Sequence, residues 1–201
     1  MDGRRGPGRS RACGESGFTL IEVVISLLLL SIVSAASIGL FIRSMAAGDV
    51  QAQRQKAIEL ANLQMEQVRG LPVGSLEQGR TKSEVDALWA AAPSGANTAQ
   101  SKELWDPTAV VGSVDTVPTV ATQLLDGVSY QVQTFVDECY LTVAGVCDST
   151  PITGAQPLRR VAVAVNWTPG GGRKCGSATG DCSYVTTSLL DPSSDPTFNS
   201  N

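Results

Sequence analysis

The feature that most constrains this 201-residue chain is a long apolar run with one acidic side chain inside it. The run extends from Phe18 to Ile42, and Glu22 is its only charged residue. As a helix it measures about 37 Å, which exceeds the hydrocarbon core of about 30 Å. A carboxylate within such a segment costs about 3 kcal/mol on insertion scales, so we expect Glu22 to have a function. The sequence predicts a membrane-spanning helix over residues 18–42.

The residues before the run are basic, since residues 1–17 contain four arginines and only two acidic side chains. This charge bias predicts a leader that stays in the cytoplasm and a C-terminal part on the other side of the membrane. Two ordinary alternatives are a signal anchor and a secretory signal cut near Ser34–Ala36. A secretory signal has an apolar region of about 7 to 15 residues, whereas here apolar character continues to Ile42. Neither alternative explains Glu22.

The sequence Gly17-Phe18-Thr-Leu-Ile-Glu22 and the aliphatic residues after it resemble the N-terminal signature of the type IV prepilin family. The resemblance covers about Gly17 to Arg69. It implies that a prepilin peptidase cuts after Gly17 on the cytoplasmic side and N-methylates the new terminus, Phe18. It also implies that Glu22 is the family's glutamate at mature position five, which pairs with the terminal amine of a neighbouring subunit.

The predicted helix continues beyond the membrane segment. Between Ser44 and Arg69 apolar residues recur mostly three to seven positions apart among polar helix formers, and Arg69-Gly70 followed by Pro72 is typical of a helix end. We therefore predict an amphipathic extension over residues 43–70. This two-part helix matches the long N-terminal helix of the prepilin family. Its last turns, residues 57–71, also resemble PilV-type minor pilins and type II secretion pseudopilins.

Residues 71–190 are predicted to form a small exported head, followed by a loose tail over residues 191–201. Alternation of apolar and polar residues predicts three strands, at Gly127–Leu141, Val161–Trp167 and Ser183–Leu190, and a short helix at Ser83–Ala92. The predicted fold class is α+β, with the long helix packed on one face of a small antiparallel sheet and the other face in water. Trp89 and Trp105 are expected to be hydrophobic anchors that hold the loop-rich segment containing them, residues 72–118, on the sheet.

Four cysteines, Cys139, Cys147, Cys175 and Cys182, fall in the predicted head, while Cys13 lies in the leader. Four cysteines allow three disulfide connectivities, and the two short loops are the natural choice. A zinc site is the rival, although the spacings are wider than the usual two to four residues. An extracytoplasmic position favours disulfides. Many members of the resembled family have a disulfide-bounded loop near the C-terminus, to which Cys175 and Cys182 would correspond.

The composition argues against enzymatic and nucleic-acid-binding functions. The chain has no histidine, which removes the usual catalytic triads and most zinc sites. Gly170–Lys174 lacks the spacing of a phosphate-binding loop. Without residues 1–17 the chain retains 11 basic and 17 acidic side chains, whereas nucleic-acid binding normally needs a basic face. We predict no enzyme activity, no cofactor and no metal.

The sequence thus predicts a structural subunit, a minor pilin of a type IV pilus or a related type II secretion pseudopilus. Its expected partners are the prepilin peptidase, other pilin subunits, the inner-membrane assembly platform and, before assembly, membrane lipid. Its expected location is the cytoplasmic membrane, with the leader in the cytoplasm and the head outside, and afterwards a filament. The alternative is a surface adhesin or DNA-uptake pilin whose head binds a ligand.

Overall fold

A computed structural model describes residues 18–170, 175 and 181–192, and it describes Ala46 by its backbone alone. The predicted leader, with Gly17 and Cys13, and the tail beyond residue 192 lie outside the described residues. The helices are α1 (Leu20–Arg69) and α2 (Lys82–Ala90), with 3-10 turns at Val73–Ser75, Ser94–Ala96 and Thr98–Gln100. The strands are β1 (Lys102–Glu103), β2 (Val120–Leu125), β3 (Val128–Leu141), β4 (Cys147–Asp148), β5 (Leu158–Trp167) and β6 (Cys182–Leu190).

The chain divides into two compact units, with the boundary between Ala47 and Gly48. The first unit contains the apolar part of α1, where every described side chain up to Met45 is exposed. The hydroxyls of Ser31 and Ser37 donate to the carbonyl oxygens of Leu27 and Val33, at 2.7 and 2.8 Å. Because these polar groups are bonded within the helix, they carry little cost in a lipid environment. By length and composition, α1 is a candidate membrane-spanning helix.

The second unit is built around a meander of antiparallel strands in the order β2, β3, β5 and β6. The two-residue strands β1 and β4 pair with the C-terminal half of β3. The predicted strands are confirmed as β3, β5 and β6, and the predicted short helix is confirmed as α2. The α+β fold class is confirmed as well.

The first face of the sheet packs against the C-terminal part of α1. The residues that α1 buries follow helical spacing, at Ala57, Ala61, Met65 and Val68. They contact a row of β-branched residues on the central strands, Val132 and Val136 of β3 with Val161, Val163 and Val165 of β5. The two alanines let the helix backbone approach the sheet closely, and the valines fill the space beside it.

The second face of the sheet is covered in part, and for that part the prediction that it would lie in water is wrong. Leu88 of α2 and Ala96 pack there on Phe135, Ala162 and Ala164, all of which are buried. The small alanines of β5 leave room for this covering layer, whereas in the sequence they resembled the solvent side of a half-buried strand. Trp89 also belongs to the layer, since its ring lies 5.1 Å from that of Phe135.

The first long strand of the meander, β2, was missed from the sequence. It joins β3 through a tight turn in which Asp126 and Gly127 both have positive φ angles, +49° and +76°. An Asp-Gly pair at such a turn is the strongest short-range signal of a hairpin. The turn also contacts α1, because Lys56 forms an ion pair with Asp126 and the hydroxyl of Tyr130 donates to the carbonyl of Gln53 at 3.4 Å.

Candidate functional site

The predicted processing and assembly site lies at the start of α1. The backbone N–H of Glu22 donates to the hydroxyl of Thr19 at 3.3 Å and to its carbonyl at 3.1 Å, so Thr19 caps the helix. Phe18 directly precedes this cap and is 81% exposed. Gly17, on the other side of the predicted scissile bond, lies outside the described residues.

Glu22 stands in the first turn of α1, where a carboxylate interacts favourably with the helix dipole. Its side chain is exposed, and it forms no ion pair within the described part of the chain. Around it the surface is aliphatic, with Leu20, Ile21 and Val23 all exposed. This arrangement places one carboxylate, which can pair with a positive charge, in the otherwise apolar part of α1.

The four cysteines of the head form two disulfides, Cys139–Cys147 and Cys175–Cys182, with Cα separations of 5.4 and 5.1 Å. The first joins the end of β3 to β4. The second joins the β5–β6 connection to the first residue of β6. The structure thus contains the two short loops that the sequence favoured, and the four sulfur atoms do not converge on one site.

A buried ion pair inside the head was not found by sequence analysis. Arg160 of β5 donates to both carboxylate oxygens of Asp137 on β3, through Nε at 2.9 Å and Nη2 at 2.8 Å. The same Nη2 donates to Ser101 Oγ at 2.7 Å and to the carbonyl of Asn97 at 3.1 Å. Burial raises the pKa of the Asp137 carboxyl, and Arg160 offsets part of that rise. The pair ties the segment before β1 to the sheet.

A second buried cation lies between the loop after α1 and the sheet. Arg80 is fully buried and donates through Nη2 to the carbonyl of Thr134, while its Nε and Nη1 have no partner among the described residues. Burial lowers the pKa of Arg80 to about 10, and the nearby carboxylates of Asp115 and Glu77 counteract this effect. Because the side chain is fully enclosed, its role is structural.

Two carboxylates, the half-buried Asp106 and the exposed Glu84, stabilise the loops around α2. Asp106 accepts hydrogen bonds from the backbone N–H of Gly79 at 3.0 Å and from the N–H of Thr108 at 2.8 Å, which lowers the pKa of Asp106. Glu84 forms a reciprocal capping box with Thr81 at the start of α2, and the hydrogen bonds from Thr81 lower the pKa of Glu84. Thr81 therefore sets the first residue of α2 at Lys82, one residue before the predicted start.

Comparison with known proteins agrees with the geometry at the start of α1. A family model described as the prokaryotic N-terminal methylation motif matches residues 13–38, a range that contains Gly17, Phe18 and Glu22. No curated protein and no solved structure matches the chain. This motif, at the start of a long helix that is followed by an α+β head, supports a relationship of the chain to the type IV prepilin and pseudopilin family.

Proposed function

We propose that the chain is a minor subunit of a type IV pilus or of a related type II secretion pseudopilus. It is made as a precursor, cut by the prepilin peptidase after Gly17 and N-methylated on Phe18. The observation that carries this proposal is the methylation motif over residues 13–38, which includes the one acidic residue of the apolar run, Glu22. The minor role rests on the resemblance of residues 57–71 to minor pilins.

The apolar part of α1 supports a two-stage assembly. Before assembly, the exposed aliphatic surface from Leu20 to Ile42 lies in contact with the apolar chains of membrane lipid. A subunit that leaves the membrane must bury the same surface against neighbouring helices, because contact with water would cost about 25 cal/mol for each Å² of apolar area. The assembly platform of the inner membrane extracts the subunit, and the other pilin subunits supply the replacement surface.

Glu22 sets the register between the apolar helices of neighbouring subunits, which pack together as a bundle in the filament. Its carboxylate pairs with the methylated amine of Phe18 on a neighbouring subunit. A desolvated ion pair is a weak source of net stability, but it can specify alignment, since a shifted helix leaves a buried charge unpaired. The proposed pairing is consistent with the position of Glu22, which has no ion-pair partner in the described part of its own chain.

The N-terminal mass tests the processing step. The protein is purified from membranes of cells with and without prepilin peptidase, and its N-terminus is measured by mass spectrometry. We expect an N-methylated chain that begins at Phe18, and the intact precursor when the peptidase is absent. A chain that keeps Met1 in both strains, or one cut near Ala36, would remove the basis for assembly.

Replacement of Glu22 tests the assembly step. We expect Glu22→Ala to reduce the number of filaments that contain the protein, whereas the matched variant Glu59→Ala should not. Glu59 is an exposed acidic residue on the same helix and is not part of the apolar run. Formation of the Cys139–Cys147 disulfide reports on folding of the head and should be normal in both variants. Equal incorporation of both variants would contradict a register role for Glu22.

A further inference from the structure

The strands at the two edges of the meander, β2 and β6, carry no charged side chain and no proline. The charged residues of the long strands lie instead in the centre of the sheet, Asp137 and Glu138 on β3 and Arg159 and Arg160 on β5. Proteins usually protect an exposed edge strand with charges, prolines or bulges, because an unprotected edge can pair with a strand of another chain. The reversed distribution of charge indicates that both edges of this sheet can pair.

The outward backbone groups of both edges are available for pairing. The N–H of Thr134 donates to the carbonyl of Thr119 at 3.0 Å, which fixes the phase of the antiparallel ladder between β2 and β3. The N–H and C=O groups of Val120, Thr122 and Leu124 therefore point away from β3. The same alternation, carried across β3 and β5, gives the outward residues of β6. They are Ser183, Val185, Thr187 and Leu189. Within the described residues, no backbone group pairs with either of these two outer edges.

The two edge strands run in opposite directions beside α1. The ion pair between Lys56 and Asp126 places the end of β2 beside an early turn of the part of α1 that belongs to the second unit. Ser188, near the end of β6, accepts a hydrogen bond from Nη2 of Arg69, the last residue of α1, at 3.4 Å. β6 therefore runs with α1 and β2 runs against it. A second head, displaced sideways without rotation, brings its β2 antiparallel to the β6 of the first.

The strand register shows that such a displaced copy also fits in phase. Thr122 lies in the same row of the sheet as Ser183, and Val120 lies in the same row as Val185. In a copy at equal height, Thr122 is therefore opposite Ser183 and Val120 is opposite Val185. All four residues have outward backbone groups, so the ladder continues without a slip. Hydroxyl pairs and pairs of β-branched residues are favourable neighbours across antiparallel strands.

We propose that the head pairs with a second copy of this chain, in which β2 of one copy adds to β6 of the next and continues the antiparallel sheet. The inference rests on the proposed function in one respect, because it requires that both copies are anchored with the same orientation. Antiparallel pairing of β2 with β2 would invert one of the two α1 helices, which a common anchor in one membrane does not allow.

Edge pairing is a different contact from the packing of the apolar helices. Two paired heads are displaced by four strand spacings of about 4.8 Å, or about 19 Å in all. Helices in direct contact are only about 8–10 Å apart, so edge-paired heads do not bring their own α1 segments together. The edge contact can therefore fail while processing at Phe18 and the register role of Glu22 hold.

Site-specific photocrosslinking in membranes tests the pairing. p-Benzoylphenylalanine replaces Ser183, an exposed residue of β6, in the full-length chain, which is produced in cells that have the prepilin peptidase but lack the assembly platform. We expect a covalent dimer whose linked peptide, identified by mass spectrometry, contains residues 120–125 of the second copy. The same label at Ser83, an exposed residue of α2, should give no dimer.

The crosslinked products decide between the possible partners. A link only between two β6 strands, a link only to a different protein, or no dimer at all would overturn the proposal. The N-terminal mass of the same sample shows whether the chain has been processed. A processed chain without the β2–β6 link would thus contradict edge pairing alone, whereas an unprocessed chain would contradict the proposed function.

Variants of β2 test whether the pairing uses its outer edge. Thr122→Pro removes an outward N–H, spares the ladder to β3 and places a ring where the incoming strand would lie, so the dimer yield should fall about tenfold or more. The matched variant Thr122→Val keeps this N–H and should dimerise normally. Leu124→Lys adds a charge at a position that is 72% exposed and should also lower the yield. Thermal unfolding confirms folding, and Leu124→Lys decides if Thr122→Pro does not fold. An undiminished dimer yield in the folded proline or lysine variant would overturn the proposal.

Discussion

Removal of Arg160 should be among the most destabilising single changes in the head. The side chain of Asp137 is 0% exposed, and that of Arg160 is 6% exposed. Arg160→Met leaves the Asp137 carboxylate buried without its bidentate partner, and also removes the donor to Ser101 Oγ. Breaking such a pair costs about 3–5 kcal/mol. In a chain of this length, each kcal/mol lowers the unfolding temperature by about 2–4 °C, so we expect a decrease of about 6–20 °C.

The measurement is thermal unfolding of the mature protein in detergent, followed by tryptophan fluorescence. Far-ultraviolet circular dichroism is less suitable, because the apolar part of α1 stays helical in detergent and dominates that signal. The tryptophans Trp89, Trp105 and Trp167 all lie in the head and report on its packing.

Two further variants distinguish the cost of an unpaired buried charge from the loss of stability that any arginine substitution could cause. Arg69→Met removes an exposed cation that pairs with Glu66 at 2.8 Å, and should cost less than about 1 kcal/mol. The double variant Arg160→Met/Asp137→Leu removes both buried charges and should recover most of the lost stability. If Arg160→Met costs no more than Arg69→Met, or if the double variant is less stable than the single one, the reasoning about charge burial is refuted.

Three other predictions concern loops of the head. Gly79→Ala should destabilise the head by about 3 kcal/mol or more, because φ is +84° and the new Cβ would lie too close to a backbone carbonyl. The matched variant Gly112→Ala, at φ +92° with open space around it, should cost only about 1–2 kcal/mol. Thermal unfolding measures both. The hydrogen bonds that lower the pKa of Asp106 stabilise the fold at pH values above about 3.9, the ordinary pKa of this group. This contribution is lost as the pH falls through the pKa of Asp106 in the folded protein. Asp106→Asn should therefore reduce the difference in unfolding temperature between pH 7 and pH 3, and an unchanged difference would contradict the role of its hydrogen bonds. Replacing both Cys139 and Cys147 by serine should cost about 2–3 kcal/mol by chain entropy, measured by thermal unfolding against the parent protein under non-reducing conditions; no loss would mean that this loop is already ordered without its disulfide.

The parts of the fold that the sequence predicted depend on local periodicity. The helix end at Arg69 and the long strand β3 follow from residues that are neighbours in the chain. The covering layer on the second sheet face was missed because its evidence is non-local. Ala162 and Ala164 have the same alternation whether they face water or α2, and only the folded chain places Leu88 above them.

The candidate sites likewise divide into those with local sequence evidence and those whose residues meet only in the folded chain. Phe18 and Glu22 belong to a contiguous motif and could be assigned from the sequence, although their roles stay predictions. The buried pair of Asp137 and Arg160 could not be assigned, because the two residues are far apart in the chain and meet only through strand register. Charged side chains on a strand normally indicate a solvent face, which hides a buried pair of this kind.

The position of β6 has a consequence for the order in which the head can form. β6 is the last strand that the structure describes, and it covers the outer edge of β5 from Arg159 to Trp167. Its first residue, Cys182, also closes the second disulfide. The sheet therefore cannot be completed until synthesis has passed Leu190. A chain interrupted before Cys182 keeps an open strand edge and a free thiol at Cys175, two marks by which quality-control proteases and thiol oxidoreductases can distinguish unfinished subunits from finished ones.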